Sequence, residues 1–315
     1  MDLLFFLIVA SLSFQVQTVS LHRVFERPVI SPQGNAWQSA GTFNPAVVRY
    51  NGKYVMLYRA QDANGTSRLG YAESADGIHF TQRPEPVLSP ETDYERDGGV
   101  EDPRLVRFGD TFYLTYTGYN KRDAQLCLAT SRDLLHWTRH GVIIPANRGN
   151  WNVKWTKSGA IVPQKINGRY WMYFLGTDAH NKDQAGIASS TDLLHWHEES
   201  AAPVLPVREG KFDSRVAEPG PSPLVTPDGI VLFYNGADDQ LVYRTAIAVF
   251  DLHDPRKLLW RSEKPIFEPE QTWEKVGQVP NVVFVEGMAP SPDKKHYLFY
   301  YGGADKYVGV AEAPI

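Results

Sequence analysis

A unit of roughly fifty to sixty residues recurs five times along this chain, and a repeat of that length confines the fold to a short list of β arrays. The first unit reads Asn44-Pro45-Ala46-Val47-Val48, turns at Asn51-Gly52, and returns as Tyr54-Val55-Met56-Leu57-Tyr58. The second repeats this over residues 102–116, the third from Lys157 to Phe174, and the fourth from Glu218 to Tyr234. The fifth ends in Tyr297-Leu298-Phe299-Tyr300-Tyr301. Each joins a short apolar strand to an aromatic, β-branched strand through Gly, Asn or Asp, which is a hairpin signal. A third strand follows, seen in the matching segments 69–80, 126–137 and 186–196. A fourth, opened by proline, follows at Pro86-Val87-Leu88, Pro203-Val204-Leu205 and Pro265-Ile266-Phe267, with Val142-Ile143-Ile144 in its place in unit two. Proline suits an outermost strand, where a missing N–H is tolerated.

The fifth unit stops after its third strand, Val308-Gly309-Val310-Ala311. A candidate for its missing partner stands at the other end of the chain, because Arg27-Pro28-Val29-Ile30-Ser31-Pro32 resembles Glu85-Pro86-Val87-Leu88-Ser89-Pro90. The expectation is an all-β, five-bladed β-propeller whose N-terminal strand closes the last blade and protects its edge. The length of 315 residues would admit two domains, but a ring of blades does not divide, so residues 21–315 are expected to form one.

Residues 3–14 are apolar apart from Ser11 and Ser13, and too few for a spanning helix of about 20 residues. They predict a secretory leader over residues 1–20 and a secreted or periplasmic protein, although Asp2 stands where such leaders carry a cation. The net charge of −4, with no basic run, points away from nucleic acid. The single cysteine, Cys127, leaves no intrachain disulfide to form. No metal-ligand spacing, phosphate-cradling glycine loop or nucleophile elbow is present, so no cofactor is expected.

Acids open three of the five units: Asp102 in Glu101-Asp102-Pro103-Arg104, Glu218 in Glu218-Pro219-Gly220-Pro221, and Glu286 in Val285-Glu286-Gly287. On the inner strands of a propeller they would converge on one channel. Converging carboxyls supply the proton donor and the base, or nucleophile, of glycoside cleavage. A turn or cap role ahead of proline or beside glycine is the plain alternative for each. Asn44 matches Asp102 in repeat position, Arg59 ends the second strand of unit one, and Asp178, Asp238 and Asp305 follow the equivalent strands later. These suit hydrogen bonding to sugar hydroxyls. Lys157 opens unit three and is placed to face the same channel. His136 and His195 recur in the Asp-Leu-Leu-His-Trp segment, which makes them structural.

The segments Phe43-Asn44-Pro45-Ala46, Gly99-Val100-Glu101-Asp102-Pro103-Arg104, Asp251-Leu252-His253-Asp254-Pro255, Pro280-Asn281-Val282-Val283-Phe284 and Tyr301-Gly302-Gly303-Ala304-Asp305 resemble glycoside hydrolase family 130. That family comprises the five-bladed β-mannoside phosphorylases and β-1,2-mannosidases. The resemblance covers the chain beyond the leader. It implies that Asp102 is the proton donor, in the phosphorylases through a hydroxyl of the mannose itself, and that Arg104 belongs to the substrate site. It also implies that acids at positions 218 and 286 replace part of the phosphorylases' cationic cluster. Two added negative charges would repel phosphate and provide a base for water. The expectation is therefore an inverting, exo-acting β-mannosidase acting on β-1,2-linked mannosides, with Glu218 or Glu286 as base. A β-mannoside phosphorylase and a non-catalytic sugar-binding propeller are the alternatives.

Overall fold

The computed structural model describes residues 19–34, 36–148 and 151–314, and most of the expected leader lies outside them. Turn chemistry builds the hairpins. After β1 (His22–Arg23), strands β2 (Gly41–Tyr50) and β3 (Lys53–Gln61) are joined by Asn51 and Gly52 at φ 49° and 79°. Two such left-handed residues make a type I′ turn, whose twist matches that of the strands. Asn167 and Gly168, at φ 52° and 77°, repeat the device in unit three.

The pairing resolves into five antiparallel units. The first is β2, β3, β4 (Ser67–Ser74) and β5 (Thr81–Gln82). The second is β6 (Gly99–Phe108), β7 (Thr111–Tyr119), β8 (Ala124–Ser131) and β9 (Thr138–Ile144). The third is β10 (Thr156–Ile161), β11 (Tyr170–Thr177), β12 (Asp183–Ser190) and β13 (His197–Glu198). In the fourth, the first strand is split into β14 (Val216–Pro219) and β15 (Leu224–Thr226). Both pieces pair with β16 (Gly229–Ala237), which is followed by β17 (Tyr243–Phe250) and β18 (Leu258–Arg261). The fifth is β19 (Val283–Pro290), β20 (Tyr297–Gly303) and β21 (Tyr307–Ala313), with β1 beyond β21.

A parallel pair, Ser67 with Gly99, joins units one and two into one sheet, and Asp183 with Val216 joins units three and four. Gly99 is at φ 109°, and a Cβ there would sit 2.1 Å from the Ser67 carbonyl oxygen, so only glycine fits the junction. Among the described residues no sheet closes on itself through hydrogen bonds. The cyclic order is carried by packing, because each apolar cluster lies between two neighbouring units. Leu57 and Leu114 share the first interface, Leu126 and Phe174 the second, Tyr173 and Leu232 the third, and Phe233 and Phe299 the fourth. The last cluster packs Tyr300 and Val308 of unit five against Val47 and Met56 of unit one.

The N-terminal segment completes unit five. His22 and Arg23 pair with Glu312 and Ala311, and Ile30 bridges Val308, with the Val29 amide donating to the Val308 carbonyl at 2.8 Å. Leu88, Leu205 and Phe267 make the equivalent bridges in units one, three and four. Side chains mark the same equivalence. Arg139 on β9 pairs with buried Glu95, and Arg261 on β18 with buried Asp213. Arg23 on β1 pairs with buried Glu274 in the same way. Each acid also accepts a tyrosine hydroxyl, from Tyr116, Tyr234 and Tyr301 respectively. His136 and His195 sit exposed in their turns, each with Nδ1 2.7 Å from the aspartate three residues before it.

Candidate active site

The first strands carry the site because they bulge at one register. Asn44, Asp102-Pro103, Ser158-Gly159 and Glu286 are the residues left out of their ladders. A bulge bends its strand and re-aims the extra side chain. Asn44, Asp102 and Ser158 lie at φ 48°, 50° and 59°, a region that Asn and Asp enter more readily than other non-glycine residues. Glu218 pairs with Asn235 as Glu101 pairs with Thr117, so it stands at the register just before the bulge.

These strands surround a pocket of about 180 Å³. Asn44, Arg59, Asp102, Lys157, Glu218 and Asp305 give its polar lining, and Leu241, Tyr243, Val279, Val282 and Phe284 its apolar lining. The Asp102 Oδ1 accepts from Asn44 Nδ2 at 2.8 Å and from Arg59 Nη1 at 3.1 Å. The other arm of Arg59 donates to Glu101 Oε1 at 2.6 Å, and the Ser67 hydroxyl donates to the same oxygen at 3.0 Å. Ser158 donates its hydroxyl to Glu218. The Lys157 ammonium makes no hydrogen bond or ion pair among the described residues.

Burial would raise the Asp102 carboxyl, but Arg59, Lys157 and the Asn44 hydrogen bond outweigh it and hold it below the ordinary range. Its neighbour Glu101 is pushed up, by burial more than Arg59 offsets. Burial also raises Glu218 against the pull of Lys157 and Arg104. It raises Glu286 well above the carboxylate range, with Asp102 and Glu218 adding repulsion that Arg104 only partly offsets. Asp305 is raised to about 6, by burial first, opposed by Arg59. Burial disfavours the charge on Lys157, yet Glu218 and Asp102 leave its ammonium more firmly protonated than usual.

Glu286 and Arg104 lie behind the pocket wall. Glu286 is 1 % exposed, and neither carboxyl oxygen has a hydrogen-bond partner among the described residues; its nearest cation is Arg104 Nη1 at 3.5 Å. Asp178 stands apart from the pocket lining. Its carboxylate accepts the amides of His180 and Lys182 in its own turn, and Asp238 caps the amides of Gln240 and Val242 likewise. Sequence reasoning missed Glu101 as Arg59's partner, Ser158, and the apolar wall of Tyr243 and Phe284. Ser158 was within reach, because Lys157-Ser158-Gly159 occupies the repeat position of Glu101-Asp102-Pro103. Among the described residues no three His, Cys, Asp or Glu side chains converge as a metal site.

An all-β chain whose strand bulges turn acids and cations onto one small pocket has the equipment of an enzyme that works on glycosides. The chain belongs to glycoside hydrolase family 130: the family model described as β-1,4-mannooligosaccharide phosphorylase matches residues 17–315. It is 40% identical to the 1,2-β-oligomannan phosphorylase of Thermoanaerobacter sp. (strain X514), over 93% of this chain and 97% of that one. It is 34% identical to the β-1,2-mannobiose phosphorylase of the same organism, over 92% and 96%. A solved structure from work on glycoside hydrolases within this family that target β-1,2 mannosidic linkages in Candida mannan superposes with a TM-score of 0.84. That pair is 36% identical and covers 93% of both chains. Both named phosphorylases stand against the hydrolytic expectation drawn from Glu218 and Glu286.

Proposed function

We propose that this protein is a five-bladed β-propeller that removes mannose from the end of β-1,2-linked mannosides by single displacement, with phosphate as the acceptor. The observation that carries the reading is the Lys157 ammonium in the pocket wall, without a hydrogen bond or ion pair among the described residues, on the same small cavity as Asp102 and Glu218. A cation not tied into a close ion pair is what an incoming phosphate requires. The two glutamates are held toward their neutral forms by burial, which removes the repulsion their charges would exert. The names of the two curated relatives point the same way. The cyclic packing of five units supports the propeller.

Asp102 is the proton donor in this reading. Arg59 and Lys157 favour its ionised form. A sugar that covers the pocket strengthens the burial effect, which already opposes ionisation, and so prepares the carboxyl to donate. Its proton passes to the glycosidic oxygen, through a sugar hydroxyl in the family pattern, while a phosphate oxygen forms the new bond at the anomeric carbon from the opposite face. The products are α-mannose 1-phosphate and a sugar shortened by one residue. Arg59, Asn44 and Asp305 hold the mannose hydroxyls.

Hydrolysis remains as a second reading because Glu218 and Glu286 are two carboxyls close to the acid, either able to activate water once ionised. Incubation with β-1,2-linked mannobiose and mannotriose, with and without phosphate, separates the two. Mannose 1-phosphate formed only with phosphate is the expected result. Free mannose at an unchanged rate in both conditions would establish hydrolysis, and no cleavage of any β-mannoside would sink both.

A further inference from the structure

Arg104 closes the Glu-Asp-Pro-Arg motif, and the family resemblance sends it to the substrate. Its surroundings assign it another task. The residue is 2 % exposed and absent from the pocket lining. Its donors are spent on main-chain carbonyls: Nη2 on Pro219 at 2.7 Å, Nε on Gly220 at 3.0 Å, and Nη1 on Asp102 at 3.2 Å. The same Nη1 faces Glu286 at 3.5 Å. One guanidinium therefore touches the bulge that presents the acid, the backbone directly after Glu218, and the buried carboxyl of unit five.

We propose that Arg104 is a positioning residue, a clamp that sets the acid-bearing strand β6 against the Glu218-Pro219-Gly220 segment, and that it does not bind substrate. The assignment rests on the reading of Asp102 as acid and of the 218 and 286 side as the face where the nucleophile enters. Local structure explains the need. Pro219 and Pro221 lack N–H groups, and β14 ends at Pro219 while β15 begins only at Leu224, so the ladder lapses directly after Glu218 and Pro219. The Pro219 and Gly220 carbonyls are buried there and need donors. Nothing bulky can enter, because a Cβ on Gly220 would lie 2.7 Å from the Phe233 carbonyl oxygen and 2.8 Å from that of Val285. A planar fork reaching across from the first strand of unit two satisfies both carbonyls, and a lysine cannot reproduce its divergent donors. Unit five is pinned separately, by the Asn235 side chain, which donates to the Val285 carbonyl at 2.9 Å and accepts its amide at 3.0 Å. The acid and the facing glutamates are thus fixed to one another by side chain to main chain bonds that cross between units.

The test uses Arg104→Lys, Arg104→Gln and the double variant Arg104→Met/Glu286→Gln, which removes the buried carboxyl along with its cation in case the glutamine variant does not fold. With the mannosides above, Arg104→Lys is expected to lower kcat by ~10²-fold with KM within ~3-fold, since misplacement of about 1 Å costs that much. Arg104→Gln, or the double variant in its place, is expected to do the same and to shift the pH dependence of kcat, because a cation beside the acids is gone. A crystal structure of Arg104→Lys should show residues 218–221 displaced relative to 99–108. A raised KM with intact kcat would make Arg104 a substrate contact and overturn the proposal. So would an undisplaced 218–221 segment, or a folded variant with wild-type kcat and pH profile. If the wild-type protein cleaves no β-mannoside, the functional reading fails on its own, and the displacement in the Arg104→Lys crystal still decides the clamp.

Discussion

Asp305→Asn isolates one buried charge whose energetic weight follows from its surroundings. Burial raises this carboxyl from 3.8 to about 6, with Arg59 opposing the rise and Asp102 adding to it. At about 1.4 kcal/mol per pH unit, that gap corresponds to about 3 kcal/mol of folding free energy. The sign follows from proton affinity. A carboxyl that holds its proton more tightly when folded favours folding most below pH ~4, and the advantage is lost as the pH rises through about 6. Asparagine does not titrate, so Asp305→Asn should gain on the wild type across that window and hold the gain above it. The figure of about 3 kcal/mol is a ceiling, because Asp305 is not wholly shielded from solvent at the pocket wall. Arg59 keeps Glu101 and Asp102 as partners in the variant, so no unpaired cation is created. Urea unfolding of both proteins from pH 4 to 8 measures the difference. A stability gap that stays constant with pH, or shrinks as pH rises, would refute the reasoning.

Asp102→Asn should reduce turnover by at least ~10²-fold, the scale of general acid catalysis, with little change in melting temperature, as read from initial rates and thermal unfolding. Lys157→Met should raise the KM for phosphate by more than ~10-fold and leave any phosphate-independent cleavage unchanged, measured by release of mannose 1-phosphate and mannose. Arg23→Ala strands the buried Glu274 carboxylate and should cost ~3 kcal/mol in urea unfolding, whereas Arg23→Lys should recover part of it. Gly99→Ala places a methyl group against the Ser67 main chain at φ 109° and should cost more than ~1 kcal/mol or prevent folding, seen by circular dichroism and solubility.

The hairpins and the closing strand were legible because their signals are local. Asn51-Gly52 names its own turn, and Pro28-Val29-Ile30 copies Pro86-Val87-Leu88 closely enough to betray a shared place. The equivalence of Asn44 and Asp102 was legible too, since both stand one residue beyond the pairing of their strands. What failed to show was anything decided by loop length. Asp178 and Asp305 both follow a second strand, but residues 178–182 leave room for the aspartate to cap its own turn. Only Ala304, Asp305 and Lys306 connect β20 to β21, with φ 47° and 50° at the first two, and Asp305 lines the pocket instead. The latches of Glu95, Asp213 and Glu274 were hidden for another reason. Their arginines lie 44, 48 and 251 residues away, and no local pattern marks either partner.

Protonation links the site's geometry to the choice of nucleophile. Among the described residues, Glu101, Asp102, Glu218, Glu286 and Asp305 face the cations Arg59, Arg104 and Lys157, and in a buried space their like charges disfavour joint ionisation. Arg59, Lys157 and the Asn44 hydrogen bond favour the ionised form of Asp102 against its burial. Glu286, without a hydrogen bond among the described residues, is pushed well above the carboxylate range by burial, which favours its neutral form. A neutral Glu286 cannot abstract a proton from water, but it can sit beside an anion without repelling it. The two glutamates that looked like a hydrolytic signature in the sequence therefore count as bases only if the folded pocket lets them ionise, and burial works against that at both positions.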